Sequence, residues 1–430
     1  MSAVVLRLSS IVVATLAFAF GQAQARCDVT AAEPLEIVKA RYQLLEAQIE
    51  ALPDSERNSG QHRDLQERAL EELEKLQCAQ EERAPAEEVK RGPSTETAFV
   101  RVPLLFITDR KHISEPENGH RYFSASLAPS GVTFGSISVT MPAERFDESR
   151  PVPIGMEIIK IKDTSAGVTL ATPDELTSED LAQKIVSYKA SLPPKTKSRL
   201  LLFVHGYNVT FADAAQAAVR LAYGLRIELL PIAISWPSQG ETLSYWQDEQ
   251  SVETSIERFR PIFQMLLTAP EVDEVILVGH SMGTRLVTRV LSQLDLQKAK
   301  LDKLSRIVFA AADLGEEELR ELWPRIMPLG QNGWTIYTSA NDIALMASRI
   351  IHGFPRVGDS KKRVFQIEKA ETIDASAVAP FMRGYGHSYV IDNSFLQEDL
   401  RRWIIQGSSA SERGLLAGNR PPAVFWELPK

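Results

Sequence analysis

Two textures alternate along most of the chain. Short apolar runs rich in Val, Ile and Leu recur between polar loops: Arg199–Val204 (RLLLFV), Pro231–Trp236 (PIAISW), Val275–Val278 (VILV), Arg306–Ala311 (RIVFAA) and Trp334–Thr338 (WTIYT). Runs of that length without alternation predict strands buried on both faces. Between them the apolar positions fall at helical spacing. This predicts helices over Ala212–Arg226, Tyr245–Leu267, the stretch carrying Leu286, Val287, Val290, Leu291 and Leu294, Glu316–Trp323 and Ser394–Ile405. Strands alternating with helices imply an α/β architecture with a mainly parallel sheet and helices on both faces. Ahead of this region, Phe99–Thr108, Gly131–Met141 and Ile154–Ile161 read as strands and Glu175–Leu192 as a helix. Arg363–Ile367 (RVFQI) reads as the last strand.

The N-terminal part has a different pattern. Leu35, Val38, Tyr42, Leu45, Ile49 and Leu52 form one narrow apolar stripe, preceded by a capping box at Thr30 and Glu33 and stopped by Pro53. Leu65, Ala69, Leu73 and Leu76 form a second stripe, and the short connection predicts an antiparallel hairpin. Such a hairpin is either a stabilising appendage or an arm for a protein partner, and burial is the commoner fate of an apolar stripe. Residues 84–98 are rich in proline, charge and small side chains and read as a linker. The resulting plan is a signal peptide at 1–25, the hairpin at 26–83, the linker, a main domain at 99–405 and a tail at 406–430.

The signal rests on Arg7, the apolar core Ile11–Phe20 and the small-residue site Ala23-Gln24-Ala25. This implies a periplasmic or secreted protein with no transmembrane anchor after cleavage. Cys27 and Cys78 are the two cysteines. In an oxidising compartment a pair reads as a disulfide, and the antiparallel hairpin would bring them together. A net charge of −8 and the lack of a basic stripe argue against nucleic acid. No phosphate-binding lysine loop, dinucleotide fingerprint or metal-ligand cluster is present, so the sequence calls for no cofactor.

The chemistry concentrates at Gly279-His280-Ser281-Met282-Gly283, between a buried strand and an amphipathic helix. A serine on such a turn is pushed into the open in a strained conformation, and glycines two before and two after allow the chains to approach. Its hydroxyl needs a base, and the base needs a carboxylate to hold its tautomer. Of the seven histidines only His352 and His387 follow Ser281. His387 sits in a glycine-bearing loop before the last helix and is the chosen base. His352 follows a helical run and reads as a surface residue near a helix end. Asp342, just after WTIYT, is the chosen acid, and Asp313 is its rival; either could cap the following helix instead. For the oxyanion, the N–H groups of Met282 and of Tyr207, or less favourably Asn208, are the candidates. His205 reads as ordering its loop. Trp236-Pro237-Ser238 ends a strand and could line the pocket, though Trp236 reads as core; Tyr245 and Asp248, on one turn of the long helix, either order this 236–238 loop or lie exposed.

Taken together, LFVHGYN (Leu202–Asn208), SWPS (Ser235–Ser238), VGHSMG (Val278–Gly283), YTSANDIAL (Tyr337–Leu345) and Gly386-His387-Ser388 resemble the α/β-hydrolase superfamily. Within it they resemble a bacterial family known as an α/β-hydrolase domain of unknown function. Thr108-Asp109-Arg110 and Pro355-Arg356-Val357-Gly358 are similar to that family as well. The resemblance runs over about 99–405 and leaves the hairpin outside. It implies an α/β-hydrolase fold and a serine hydrolase with Ser281, Asp342 and His387 as its triad, and settles no substrate; the leading expectation is a hydrolase of small carboxylic esters acting through an acyl-enzyme. The alternative expectation is a non-catalytic binding or scaffold protein on the same fold, using the hairpin as its contact surface.

Overall fold

The computed structural model describes residues 35–53, 60–83, 97–117, 119–143, 152–161, 167–240, 244–295, 301–378, 387–418 and 425–428. The expected signal peptide, the capping box at Thr30, most of the linker, Cys27 and the side chain of Cys78 lie outside these residues. So does the expected disulfide.

Two helices come first, α1 (Leu35–Ala51) and α2 (Gly60–Arg83). The strand-rich part follows as β1 (Thr97–Thr108), β2 (Arg110–His112), β3 (Phe123–Leu127), β4 (Thr133–Pro142), β5 (Glu157–Ile161), β6 (Thr169–Leu170) and β7 (Asp174–Leu176). Then α3 (Ser178–Ser191), β8 (Arg199–Val204), α4 (Phe211–Leu225), β9 (Leu230–Ser235), α5 (Tyr245–Thr268), β10 (Glu274–His280) and α6 (Gly283–Ser292) alternate. The chain continues through β11 (Leu304–Ala310), α7 (Glu316–Ile326), β12 (Trp334–Thr338), α8 (Ile343–His352), β13 (Ala370–Asp374), α9 (Tyr389–Asp392) and α10 (Ser394–Gln406). It ends in β14 (Leu416–Ala417) and β15 (Trp426–Glu427).

Among the described residues the main sheet runs β14-β15-β13-β12-β11-β10-β8-β9-β1-β4-β6. From β13 to β1 each neighbouring pair is parallel, and β4 turns antiparallel against β1. The continuous apolar runs are continuous because both faces of these strands are covered. Leu201 and Phe203 of β8 point to one core, shared with α4 and α10. Leu200, Leu202 and Val204 point to the other, shared with α5, α6 and α7. This is the expected α/β-hydrolase architecture.

Two local expectations need correction. The expected helix at 175–192 begins at Ser178, because Thr177 and Asp180 form a reciprocal capping box, while Asp174–Leu176 pairs with β4. RVFQI is not a strand in the structure. Its adjacent Val364 and Phe365 are both buried, which a regular pleat would not allow on a single covered face. The strand beside β12 is instead β13, AETID, whose polar first half hides it from an apolar search.

The hairpin is seated on the main domain. Val38, Tyr42, Leu45, Leu65, Ala69, Leu70 and Leu73 share a core with Ile343, Met346 and Ile350 of α8. Polar contacts fix the register. Glu46 is paired with Arg349 and lies 3.1 Å from Lys361, Arg349 reaches Asp359 at 2.6 Å, and Gln66 Nε2 donates to the Ile350 carbonyl at 2.9 Å. Burying a large aliphatic side chain contributes roughly 1.5–3 kcal/mol, so this docking accounts for the described positions of the two stripes.

Candidate active site

Ser281 occupies the turn between β10 and α6 with φ +52°, in the left-handed region that a side-chain-bearing residue rarely adopts. The turn is held by Ser281 N–H to the Ala310 carbonyl at 2.9 Å, and by Thr284 N–H and Oγ1 on the Ser281 carbonyl at 3.0 and 2.6 Å. The glycines behave as expected. A methyl at Gly279 would lie 3.1 Å from Thr284 Cα, and one at Gly283 would lie 2.6 Å from the Val204 carbonyl oxygen. Only hydrogen fits where α6 starts against the end of β8. Ser281 itself is 3 % exposed. Met282, the N-cap residue of α6, makes no side-chain cap, so the start of this helix can offer backbone donors and the positive end of its dipole to an anion.

The loop after β8 lies directly against the serine. A methyl on Gly206 would sit 2.5 Å from Ser281 Cβ and 3.1 Å from its Oγ. Asn208, at φ +57°, gives its N–H to Asp248 Oδ2 at 3.1 Å. Of the two candidate amides in this loop, that of Asn208 is therefore engaged by Asp248. His205 is buried and stacked on Trp236 at 4.9 Å. Burial, with the Arg110 charge beside it, holds its pKa well below the ordinary value. It orders the loop as a neutral ring, and Trp236 is core.

His387 and Asp342 meet across the end of the sheet. His387 Nδ1 donates to Asp342 Oδ2 at 2.7 Å, from 45 residues away. Asp342 is fully buried, and its other oxygen accepts the Leu345 N–H at 3.1 Å, capping α8. One side chain thus both caps its helix and accepts from His387. Burial would lower the His387 pKa, but the adjacent Asp342 carboxylate outweighs it and raises the value. The next contact leads to the serine turn: His280 Nε2 donates to the His387 carbonyl at 3.1 Å, and the two rings are 4.8 Å apart. His280, the residue before Ser281, is driven by burial and the neighbouring His387 to a pKa of about 3 and stays neutral.

Asp313, the rival acid, is engaged elsewhere. Its oxygens accept from Tyr245 Oη at 2.5 Å and Ser348 Oγ at 2.6 Å and face Arg356 Nε at 2.9 Å. Burial opposes its charge, yet the Arg356 guanidinium overrides this and lowers its pKa to about 2. His352 corrects an expectation. It is not a surface residue: its Nε2 lies 2.9 Å from Glu249, its Nδ1 lies 2.7 Å from Arg356, and its side chain is 12 % exposed. A helix-end position says little about exposure when a charged network from α5 covers it.

Two buried arginines, Arg110 and Arg356, stand out in the sequence only through family resemblance. Both are fully buried. A fully buried arginine is rare without several acceptors, and no local periodicity reveals which acceptors it will find. No group of His, Cys, Asp or Glu able to hold a metal occurs among the described residues, and none of their helices is long and apolar enough to cross a membrane.

A parallel sheet in this order, with a serine on the tight turn between a central strand and its helix, defines an α/β hydrolase. Residues 179–392 match the family described as "Alpha/beta hydrolase of unknown function (DUF900)". Solved structures with low similarity include a lipase-esterase related protein from Clostridium acetobutylicum ATCC 824, at 15% identity and TM-score 0.27, covering 49% of this chain and 96% of that one. Another is a thermophilic esterase from Thermogutta terrifontis, at 10% identity and TM-score 0.26, covering 51% of this chain and 87% of that one. A comparison with curated proteins found no match.

Proposed function

We propose that the protein is an exported serine hydrolase acting on small carboxylic esters, with Ser281 as nucleophile, His387 as base and Asp342 as the acid that orients it. The observation that carries the reading is the hydrogen bond from His387 Nδ1 to the buried Asp342, attached through His280 to a turn that holds Ser281 at positive φ. With its Nδ1 proton fixed on Asp342, a neutral His387 has Nε2 as its acceptor. In the reading, Nε2 takes the Ser281 hydroxyl proton while Oγ bonds to the acyl carbon and the carbonyl electron pair moves onto oxygen. That oxyanion rests on the N–H groups of Tyr207 and Met282. Its collapse breaks the bond to the alkoxy group, which leaves with the proton from His387. Water, deprotonated by the same base, then releases the acid and restores Ser281.

Export belongs to the same proposal, supported by the apolar core at Ile11–Phe20 and the Ala23-Gln24-Ala25 site. N-terminal sequencing of the mature protein checks it. A fluorophosphonate probe tests the chemistry. It should label the wild type covalently and leave Ser281→Ala unlabelled; labelling that persists in the variant would sink the assignment. A series of p-nitrophenyl esters of graded acyl length should then be hydrolysed by the wild type and not by Ser281→Ala. If the wild type neither labels nor turns over any ester, the binding-protein alternative replaces this reading.

A further inference from the structure

We propose that Arg110 and Asp248 are positioning residues for the oxyanion site, clamping the 205–209 loop from its two sides so that the Tyr207 amide meets the reacting carbonyl oxygen. This rests on the serine-hydrolase reading above. Asp248 stands in the first turn of α5 with no exposed surface. Its carboxylate collects donors from two loops: Asn208 N–H at 3.1 Å, Ser238 Oγ at 2.5 Å and Gln239 N–H at 2.7 Å. Arg110, also without exposed surface, collects acceptors from the same two loops: the Val209 carbonyl at 2.7 Å, the Ser238 carbonyl at 2.8 Å and Ser235 Oγ at 2.9 Å. Its guanidinium also touches the Ser124 carbonyl at 3.3 Å and His205 Nε2 at 3.5 Å. Ser238 links the two charges, since its Oγ accepts the Val209 N–H at 2.9 Å while donating to Asp248.

The side chains therefore share out the loop's backbone groups by chemistry. The acceptor-only carboxylate takes N–H groups and the donor-only guanidinium takes carbonyls, so neither can be replaced by the other. Two opposite charges are buried here without a direct ion pair among the described contacts, an expensive arrangement that a merely packed loop would not need. What it fixes is a loop already in contact with Ser281 through Gly206 and held at Asn208 in the left-handed region. A loop so close to the nucleophile cannot drift by a fraction of an ångström without moving the amide off the oxyanion. A misplacement near 1 Å costs on the order of 10²-fold in rate.

The test uses full-length Asp248→Asn and Ser238→Ala, with ester hydrolysis and a trifluoromethyl ketone inhibitor that forms an oxyanion on Ser281. Asp248→Asn puts an NH₂ group where N–H donors converge, whereas Ser238→Ala removes only the linking hydroxyl, so the second variant carries the test if the first fails to fold. Each folded variant should lose about 10- to 10²-fold in kcat with KM within about twofold, and inhibitor affinity should fall by a similar factor. Unchanged kcat and inhibitor affinity in Ser238→Ala, or a loss confined to KM, would overturn the proposal. Its failure is distinguishable from failure of the hydrolase reading, because that reading is tested by Ser281-dependent labelling of the wild type.

Discussion

His387 Nδ1 and Asp342 Oδ2 lie 2.7 Å apart, and the same aspartate caps the helix on which the N-terminal hairpin is seated. The proposed acid is thus held by a helix cap on one oxygen and spends the other on its histidine. Asp342→Asn should leave the fold largely intact, since an amide oxygen can still cap α8. It should lower kcat by about 10⁴-fold, because the ring is then held in the wrong tautomer. Steady-state kinetics beside a thermal melt would separate the two effects.

The raised His387 pKa sets a pH dependence. The proposed base works only when neutral, so kcat/KM should fall as pH drops through a value above 6.5, the reference for an ordinary histidine. Loss of the Asp342 charge removes the interaction that raises the value, so in Asp342→Asn the residual acid limb should move to lower pH. A limb at unchanged pH in that variant would disconnect it from this pair.

His387→Ala and His352→Ala should separate cleanly. The first should lower kcat by about 10⁴-fold or more and also cost about 1–3 kcal/mol, because the buried Asp342 carboxylate loses its partner. The second should keep a rate close to wild type yet lose about 2 kcal/mol of stability, since it breaks charge-assisted contacts with Glu249 and Arg356. Urea unfolding and ester turnover on both variants check this, and the reverse pattern would exchange their roles.

Gly283→Ala should be destabilising by about 1–3 kcal/mol. The added methyl meets the backbone carbonyl of Val204 at 2.6 Å, and backbone at a sheet end cannot step aside as a flexible side chain can. A substitution tolerated without loss in denaturant unfolding would mean that α6 can move away from β8.

The hairpin should detach before the sheet unfolds. Ile350, 4 % exposed, contributes to the small core between α8 and the hairpin. Ile350→Ala should cost about 2–5 kcal/mol of that docking. Hydrogen exchange should speed up in α1 and α2 while β8 and β10 stay protected.

Much of the architecture is written locally. Apolar patterning alone bounds RLLLFV, WTIYT and the helix from Tyr245 to within a residue or so, because a strand covered on both faces is mostly apolar along its length and a helix covered on one is apolar at helical spacing. The serine turn is equally legible, since its glycines answer to steric contacts within a few residues or with the adjoining strand. β13 escapes because a strand that is half polar is recruited by the open edge of β12, a long-range pairing that leaves no periodic trace. The burial of His352 is hidden for a related reason: what covers a helix end is decided by whichever helix packs on it, here α5 with Glu249.

The sequence by itself determined most of the element types and the strand-turn-helix serine, and narrowed the candidates for a base and an acid, because steric and periodic constraints act along the chain. Only the tertiary structure decided which carboxylate met which histidine, that Asn208 gives its amide to Asp248, and that Arg110 closes on the same loop from its other side. Those choices are made by side chains satisfying buried charge with whatever partners folding brings within about 3 Å.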